Sequence, residues 1–225
     1  MNKIKSALLF SVALISIGIY LYFPIFCFVK EIDVQGNTFV NNDEIIQTSE
    51  LSGKLLTLIN KERVEKRLLS IKIIKNIKFE QKSLSKIKIY IEEKKIVMLA
   101  QIGEKTGYVD SENNFIEGIG EYVGVNFPIF TSDSAKSTRF GIEILDLFNK
   151  KKIFTPENIS EIAYSEITGL TVFTTQDTTI YIGKGNFEMK LRNLQLILED
   201  GKAKGKKEDF IDISNETKAI VKYSL

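Results

Sequence analysis

The hydrophobic and polar positions of this chain change pattern sharply near its N-terminus. Residues 7–29 form an uncharged run of 23 residues. From Val29 to Asn37, apolar and charged residues then alternate with the period of a half-buried strand. Gly36 and Asn37 end this alternation, since both residue types tolerate the positive φ of a sharp turn. The pattern predicts a helix and, with almost no spacer, the first strand of a folded domain.

The uncharged run is long enough to cross a membrane. A helix over residues 7–29 would be roughly 35 Å long at about 1.5 Å per residue, and the hydrocarbon core of a bilayer is about 30 Å thick. Lys3 and Lys5 flank the run, so we expect a cytoplasmic tail over residues 1–6 and extracytoplasmic domains after the helix. A cleaved signal peptide is the alternative, because residues 16–18 offer small side chains, Ser16 and Gly18, at a plausible spacing, but the apolar run extends beyond a usual signal core. The sequence therefore favours an uncleaved transmembrane helix.

Residues 30–95 predict a small domain with the order strand, helix, helix, strand, strand. Asn41 and Asn60 are suited to cap the two short helices. The last two strands each show alternation of period two, and residues 81–85 are few enough to join them as an antiparallel hairpin.

Residues 96–225 predict a β-rich domain with two helices. Residues 136–149 form the first helix, and residues 187–198 form the second, which has the clearest apolar stripe of the two. Gly201 is placed as the C-terminal stop of this second helix. The chain closes with a strand over residues 218–223. The predicted fold class is α+β, with a transmembrane helix, a small domain and a larger β-rich domain.

Several short motifs resemble those of one known family. The order of elements and the motif Ile32–Asn37 (I-D-V-Q-G-N) resemble a POTRA domain. Residues 106–115 resemble the strand-turn-strand motif Y-x-V-D-x-x-G-x-x-F, and residues 210–213 resemble I-D-L-R with Ser214 in place of the arginine. Residues 93–98 depart from the motif E-R-x-P-V-A, because the arginine and proline are absent. Taken in order, these features resemble the FtsQ/DivIB family of bacterial cell division proteins.

The resemblance implies a non-enzymatic, single-pass membrane scaffold at the division septum, which links septal peptidoglycan synthesis to other division proteins. It implies FtsB/DivIC-like and FtsL-like partners, and a docking site at the C-terminal end of the β-domain. The corresponding residues here are Lys218, Ala219, Ile220, Val221, Lys222 and Tyr223. Alternation divides this strand between two faces, and the sequence leaves open which face is outward. Tyr223 is the best candidate for a binding hot spot, being aromatic and terminal.

Composition narrows the function further. The net charge is +2, and residues 1–30 carry +3 of it, so the remainder is at −1 and gives no bulk argument for nucleic-acid binding. Cys27 is the single cysteine, and histidine is absent. We find no phosphate-binding, metal-binding or nucleophile motif, and three adjacent acidic pairs, at 92–93, 199–200 and 208–209, are predicted to be solvated. The sequence predicts neither a cofactor nor a small-molecule substrate.

Two other functions remain as alternatives. A POTRA-containing protein of outer-membrane transport or assembly would require a cleaved signal and a long series of alternating strands. Residues 96–225 are too short and too often interrupted by helices for that reading. An anchored extracytoplasmic hydrolase is the second alternative, although no motif supports it.

Overall fold

The computed structural model of the protein describes residues 2–118 and 126–224. The chain divides into two compact units, Met1–Lys94 and Lys95–Leu225. Within them lie five α-helices and twelve strands, together with three short 3₁₀ turns, among the described residues. The α+β prediction is confirmed.

The first helix, α1, spans Asn2–Phe26, and its described apolar side chains between Leu8 and Tyr22 are mostly exposed. The side chains of residues 2–7, which include the flanking Lys3 and Lys5, lie outside the described residues. Where side chains are described, no helix is both long and apolar enough to span a membrane. The uncharged run of the sequence continues for three residues beyond α1.

The rest of the first unit has the predicted order strand, helix, helix, strand, strand. Its elements are β1 (Glu31–Gln35), α2 (Asn42–Ser49), α3 (Lys61–Leu68), β2 (Ile74–Gln81) and β3 (Lys86–Glu93). The sheet order is β1-β3-β2, with β1 parallel to β3 and β2 antiparallel to β3. Asn41 and Asn60 cap α2 and α3 as expected, because their side chains accept from the backbone N–H groups of Asp43 and Arg63.

The second unit is built on one nine-stranded sheet with two helices. Its elements are β4 (Ile96–Ile102), β5 (Lys105–Asp110), β6 (Phe115–Glu117), β7 (Ile129–Ser132), α4 (Thr138–Lys151), β8 (Ile159–Ser165), β9 (Gly169–Thr174), β10 (Thr179–Gly183), α5 (Phe187–Ala203), β11 (Glu208–Asp212) and β12 (Ile220–Tyr223). The order across the sheet is β12-β11-β10-β9-β8-β7-β4-β5-β6. The predicted β-rich domain with two helices is therefore confirmed.

The core of the second unit lies between α4, α5 and one face of this sheet. Alternation places one residue of each successive strand on that face, and the register joins them into a continuous row across seven strands: Ala100, Phe130, Ile162, Val172, Ile180, Ile211 and Val221. The helices contribute apolar residues such as Phe148 and Leu194, which are fully buried. Burial of this single cluster is the main stabilising contribution to the unit.

Gly201 does not stop α5, so that prediction is wrong. The helix continues to Ala203, and Gly201 is buried inside its last turn. A Cβ atom built on Gly201 would collide with the carboxylate of Glu208. The side chain of Glu208 in β11 thus approaches the helix backbone closely at this glycine, and Glu208 is a buried acid rather than the solvated one we expected.

Candidate partner-binding edge

The last strand of the second unit forms one edge of its sheet. β12 pairs antiparallel with β11, with Ile220 opposite Asp212 and Val221 opposite Ile211. Within the described ranges, no strand lies on the other side of β12. An edge strand of this kind presents unpaired backbone N–H and C=O groups that another chain can use.

The side chains of β12 divide between the two faces of the sheet. Val221 is half-buried and packs against the core, because it ends the row of core residues described above. Tyr223 is half-buried on the same face, and the Nζ of Lys206 lies 5.0 Å from its ring centroid. Ile220 and Lys222 point to the opposite face, where Ile220 is 65% exposed. The outward face is therefore that of Ile220 and Lys222.

The backbone groups of β12 alternate between β11 and the open edge. The N–H of Ser224 donates to the carbonyl of Lys207 at 2.9 Å. In an antiparallel strand, the N–H and C=O of every second residue point to the same neighbour. Alternation therefore directs the backbone groups of Val221 and Tyr223 to the open edge, where a partner strand could pair with them.

The loop that leads into β12 is held by asparagine side chains. The Oδ1 of Asn215 accepts from the backbone N–H groups two and three residues further on, at 2.9 and 3.1 Å. The backbone carbonyl of Glu216 accepts from Nδ2 of Asn193 in α5 at 2.8 Å, and its carboxylate accepts from Asn186. The sequence carries no signal for the contacts of Glu216, since residues more than twenty positions apart form them. They fix the position at which β12 begins; Lys218 and Ala219 belong to this loop and are exposed.

Lys190 of α5 is a buried cation close to the same loop. It is only 2% exposed, and its Nζ donates to the carbonyl of Lys184 at 2.6 Å. Burial lowers the pKa of Lys190, while the carboxylates of Glu216 and Asp212 act in the opposite direction. The region behind the edge strand therefore contains a charge that is not freely solvated.

Comparison with known proteins agrees with this architecture. Residues 28–94 match the family model for a POTRA domain of the FtsQ type. The chain is 26% identical over 156 residues to the cell division protein DivIB of Clostridium acetobutylicum, which covers 64% of this chain. It is 22% and 23% identical, over 207 residues each, to the cell division proteins FtsQ of Syntrophotalea carbinolica and of Geobacter sp. strain M21, which cover 86% of this chain. Residues 28–94 are therefore a POTRA domain of the FtsQ type, and the chain is similar to FtsQ proteins over most of its length.

The relatives are covered to different extents by these alignments. The match spans 63% of the Clostridium DivIB, which is just under two thirds, and 73% and 75% of the two FtsQ proteins. The similarity to the two FtsQ proteins therefore extends over both units.

The FtsQ-type POTRA domain turns sharply after its first strand. Gly36 has φ +89°, and a Cβ atom there would lie 2.3 Å from the carbonyl oxygen of Ile91. The Nδ2 of Asn37 donates to the carbonyl of Val40 at 2.7 Å and to Oδ1 of Asn42 at 2.8 Å. Gly36 therefore provides the close approach of two strands, and Asn37 links the turn to the start of α2.

Glu93 also holds this region of the POTRA domain together. Its carboxylate accepts from the backbone N–H of Phe39 at 3.0 Å and from that of Val40 at 2.9 Å. The prediction of a solvated acid is thus wrong for Glu93, although it fits the exposed Glu92. A charged acceptor strengthens such hydrogen bonds, so Glu93 has a structural role.

Over residues 2–118 and 126–224, no group of three or more His, Cys, Asp or Glu side chains is placed to hold a metal ion.

Proposed function

We propose that this protein is a non-enzymatic, bitopic scaffold of the bacterial divisome. It would link septal peptidoglycan synthesis to other division proteins through its two extracytoplasmic domains. The relatives named above are all cell division proteins. The observation that carries the proposal is the open edge of β12, which offers backbone groups and an exposed Ile220 to another chain.

The proposed anchor is the segment 7–29, with residues 1–6 in the cytoplasm and the remainder outside, at the division septum. Its uncharged length and the helical conformation of α1 support this placement. The lysines at positions 3 and 5 support the orientation.

The proposed partners are FtsB/DivIC-like and FtsL-like single-pass proteins. A strand of the partner would add to the free side of β12, so that main-chain hydrogen bonds supply affinity and side-chain contacts supply specificity. Val221 and Tyr223 would provide the backbone groups. Ile220 and Lys222 would contact the partner's side chains on the outward face.

The proposal is tested in the cell that makes the protein. We expect a fluorescent fusion of the full chain to gather at midcell, and depletion of the protein to give filaments. A copy truncated after Asn215, which lacks β12, should be stable but should not restore division. A uniform membrane signal together with normal division after depletion would refute the divisome role, and full rescue by the truncated copy would refute the role of β12.

A further inference from the structure

In the first unit, the residues immediately after α1 bond to two separate loops. The N–H of Val29 donates to the carbonyl of Lys54 at 2.9 Å, and the N–H of Leu56 donates to the carbonyl of Cys27 at 3.0 Å. The N–H of Lys30 donates to the carbonyl of Ser85 at 2.8 Å. Residues 53–58 and 82–85 therefore lie beside the point where α1 ends.

Strand directions place both loops at one end of the sheet. β1 and β3 are parallel, and Glu31 is opposite Lys86 at the start of both strands. The turn of residues 82–85 directly precedes β3 and so lies at this end. We call residues 27–30, 53–58 and 82–85 together the helix-proximal end.

Two large apolar side chains are exposed at the helix-proximal end. Leu58 is 78% exposed and Leu84 is 52% exposed. A third exposed leucine of this folded region, Leu69, is 42% exposed and lies at the opposite end, where α3 leads into the start of β2. A single exposed leucine needs no explanation, but two on adjoining loops beside a long apolar helix mark a surface that contacts something apolar.

The charge at the helix-proximal end is positive. Lys82 pairs with Glu80 at 2.6 Å and Lys86 pairs with Glu31 at 2.5 Å. Lys30 and Lys54 are exposed, and the described part of the chain offers no acid in contact with either. Exposed leucines beside unpaired lysines are the combination that binds a bilayer with anionic headgroups.

We propose that the helix-proximal end rests on the lipid bilayer, with Leu58 and Leu84 inserted among the headgroups and Lys30 and Lys54 contacting anionic lipid. This inference depends on the proposed anchor, because α1 must enter the same bilayer. The occupant is the membrane rather than a protein, since the patch is continuous with the apolar helix that leads into it. The POTRA domain would then be held against the membrane at one end and directed outward at the other.

A tryptophan scan tests the proposal directly, because the chain contains no tryptophan of its own. Full-length Leu58→Trp, Leu84→Trp and Leu69→Trp proteins are reconstituted into phosphatidylglycerol vesicles that contain lipids brominated near the headgroup. We expect fluorescence to fall about twofold for Leu58→Trp and Leu84→Trp, because an interfacial indole, buried about 5–10 Å into the boundary of headgroups and acyl chains, lies at the depth of the quencher. Leu69→Trp is the matched control and should be unaffected.

A charge variant tests whether the two lysines contact anionic lipid, as distinct from the domain merely lying near the bilayer. The double substitution Lys30→Gln and Lys54→Gln, made in the Leu58→Trp chain, should reduce quenching, and phosphatidylcholine vesicles should reduce it similarly. Far-ultraviolet circular dichroism checks that each variant is folded.

Flotation of the same samples distinguishes the two proposals. A chain that does not float with the vesicles refutes the anchor and with it this surface. A chain that floats but shows equal quenching at positions 58, 84 and 69 refutes the surface alone. Quenching at position 84 without quenching at position 58 would also overturn the inference, because the two leucines are expected to insert together.

Discussion

At the level of single residues, Gly36 carries a constraint that Gly53 does not. Both have positive φ, at +89° and +71°, but only at Gly36 would a Cβ atom meet backbone, 2.3 Å from the oxygen of Ile91. We expect Gly53→Ala to cost about 1 kcal/mol for the left-handed backbone and Gly36→Ala to cost at least about 3 kcal/mol because two strands must separate.

Hydrogen exchange of β3 amides, measured against denaturant in the detergent-solubilised full chain, gives the free energy of unfolding of the first unit for both variants. An equal loss of unfolding free energy for Gly36→Ala and Gly53→Ala would show that the turn after β1 makes no close contact with β3. In that case Gly36 would be needed only for its φ.

Residues also differ in how far the neighbouring sequence predicts their structural role. Gly36 was predicted as a turn residue because its conformational freedom is a local property. Glu93 was not predicted as structural, since the groups that bind it lie more than fifty residues away, and Lys190 was not, since its burial depends on the packing of α5. A charged side chain acquires such a role only through burial and partners that a single sequence does not display.

At the level of elements, the edge position of β12 determines at which of its residues proline should be tolerated. The backbone N–H of Val221 points to the open edge, where proline is tolerated, whereas that of Lys222 points to β11. We expect Val221→Pro to lower the melting temperature less than Lys222→Pro does, because it loses some packing of a half-buried side chain but no ladder hydrogen bond. It should weaken binding of an FtsB/DivIC-like extracytoplasmic segment at least about tenfold, since a loss of about 1.4 kcal/mol suffices for that.

The matched control is Lys222→Pro, which should lower the melting temperature because it removes a ladder hydrogen bond. Calorimetry on both variants, followed by titration with the partner segment, gives the comparison. Normal binding by Val221→Pro would exclude strand addition at this edge and would direct attention to the exposed side chain of Ile220.

Periodicity predicted most elements but not their ends or their outward faces. The alternation of Ile87, Ile89 and Ile91 predicted β3, since every second residue had to be buried. The end of α5 was misplaced at Gly201 because its glycine serves a contact with Glu208 and not a stop. For β12, alternation grouped the residues correctly, and only the cross-strand register could assign Val221 to the core face.

At the level of the whole molecule, the second unit has a core of its own. Its main cluster of buried apolar residues runs from Met98 to Ile213 and lies entirely within that unit. We expect residues 95–225, produced alone, to give a dispersed amide spectrum and one cooperative thermal transition. The same fragment with Phe148→Asp should be unfolded, because Phe148 is fully buried. A collapsed spectrum with strong dye binding for the unsubstituted fragment would show that it depends on the first unit.

The bonding of Cys27 and Val29 also has a mechanical consequence. α1 ends at Phe26, and the very next residue already accepts a hydrogen bond from the fold. A flexible linker would extend under a force on the helix and lose chain entropy, but no flexible residues separate α1 from the fold. Tension applied to the helix therefore passes directly to residues 53–56. Their backbone hydrogen bonds to Cys27 and Val29 would be the first to bear the load.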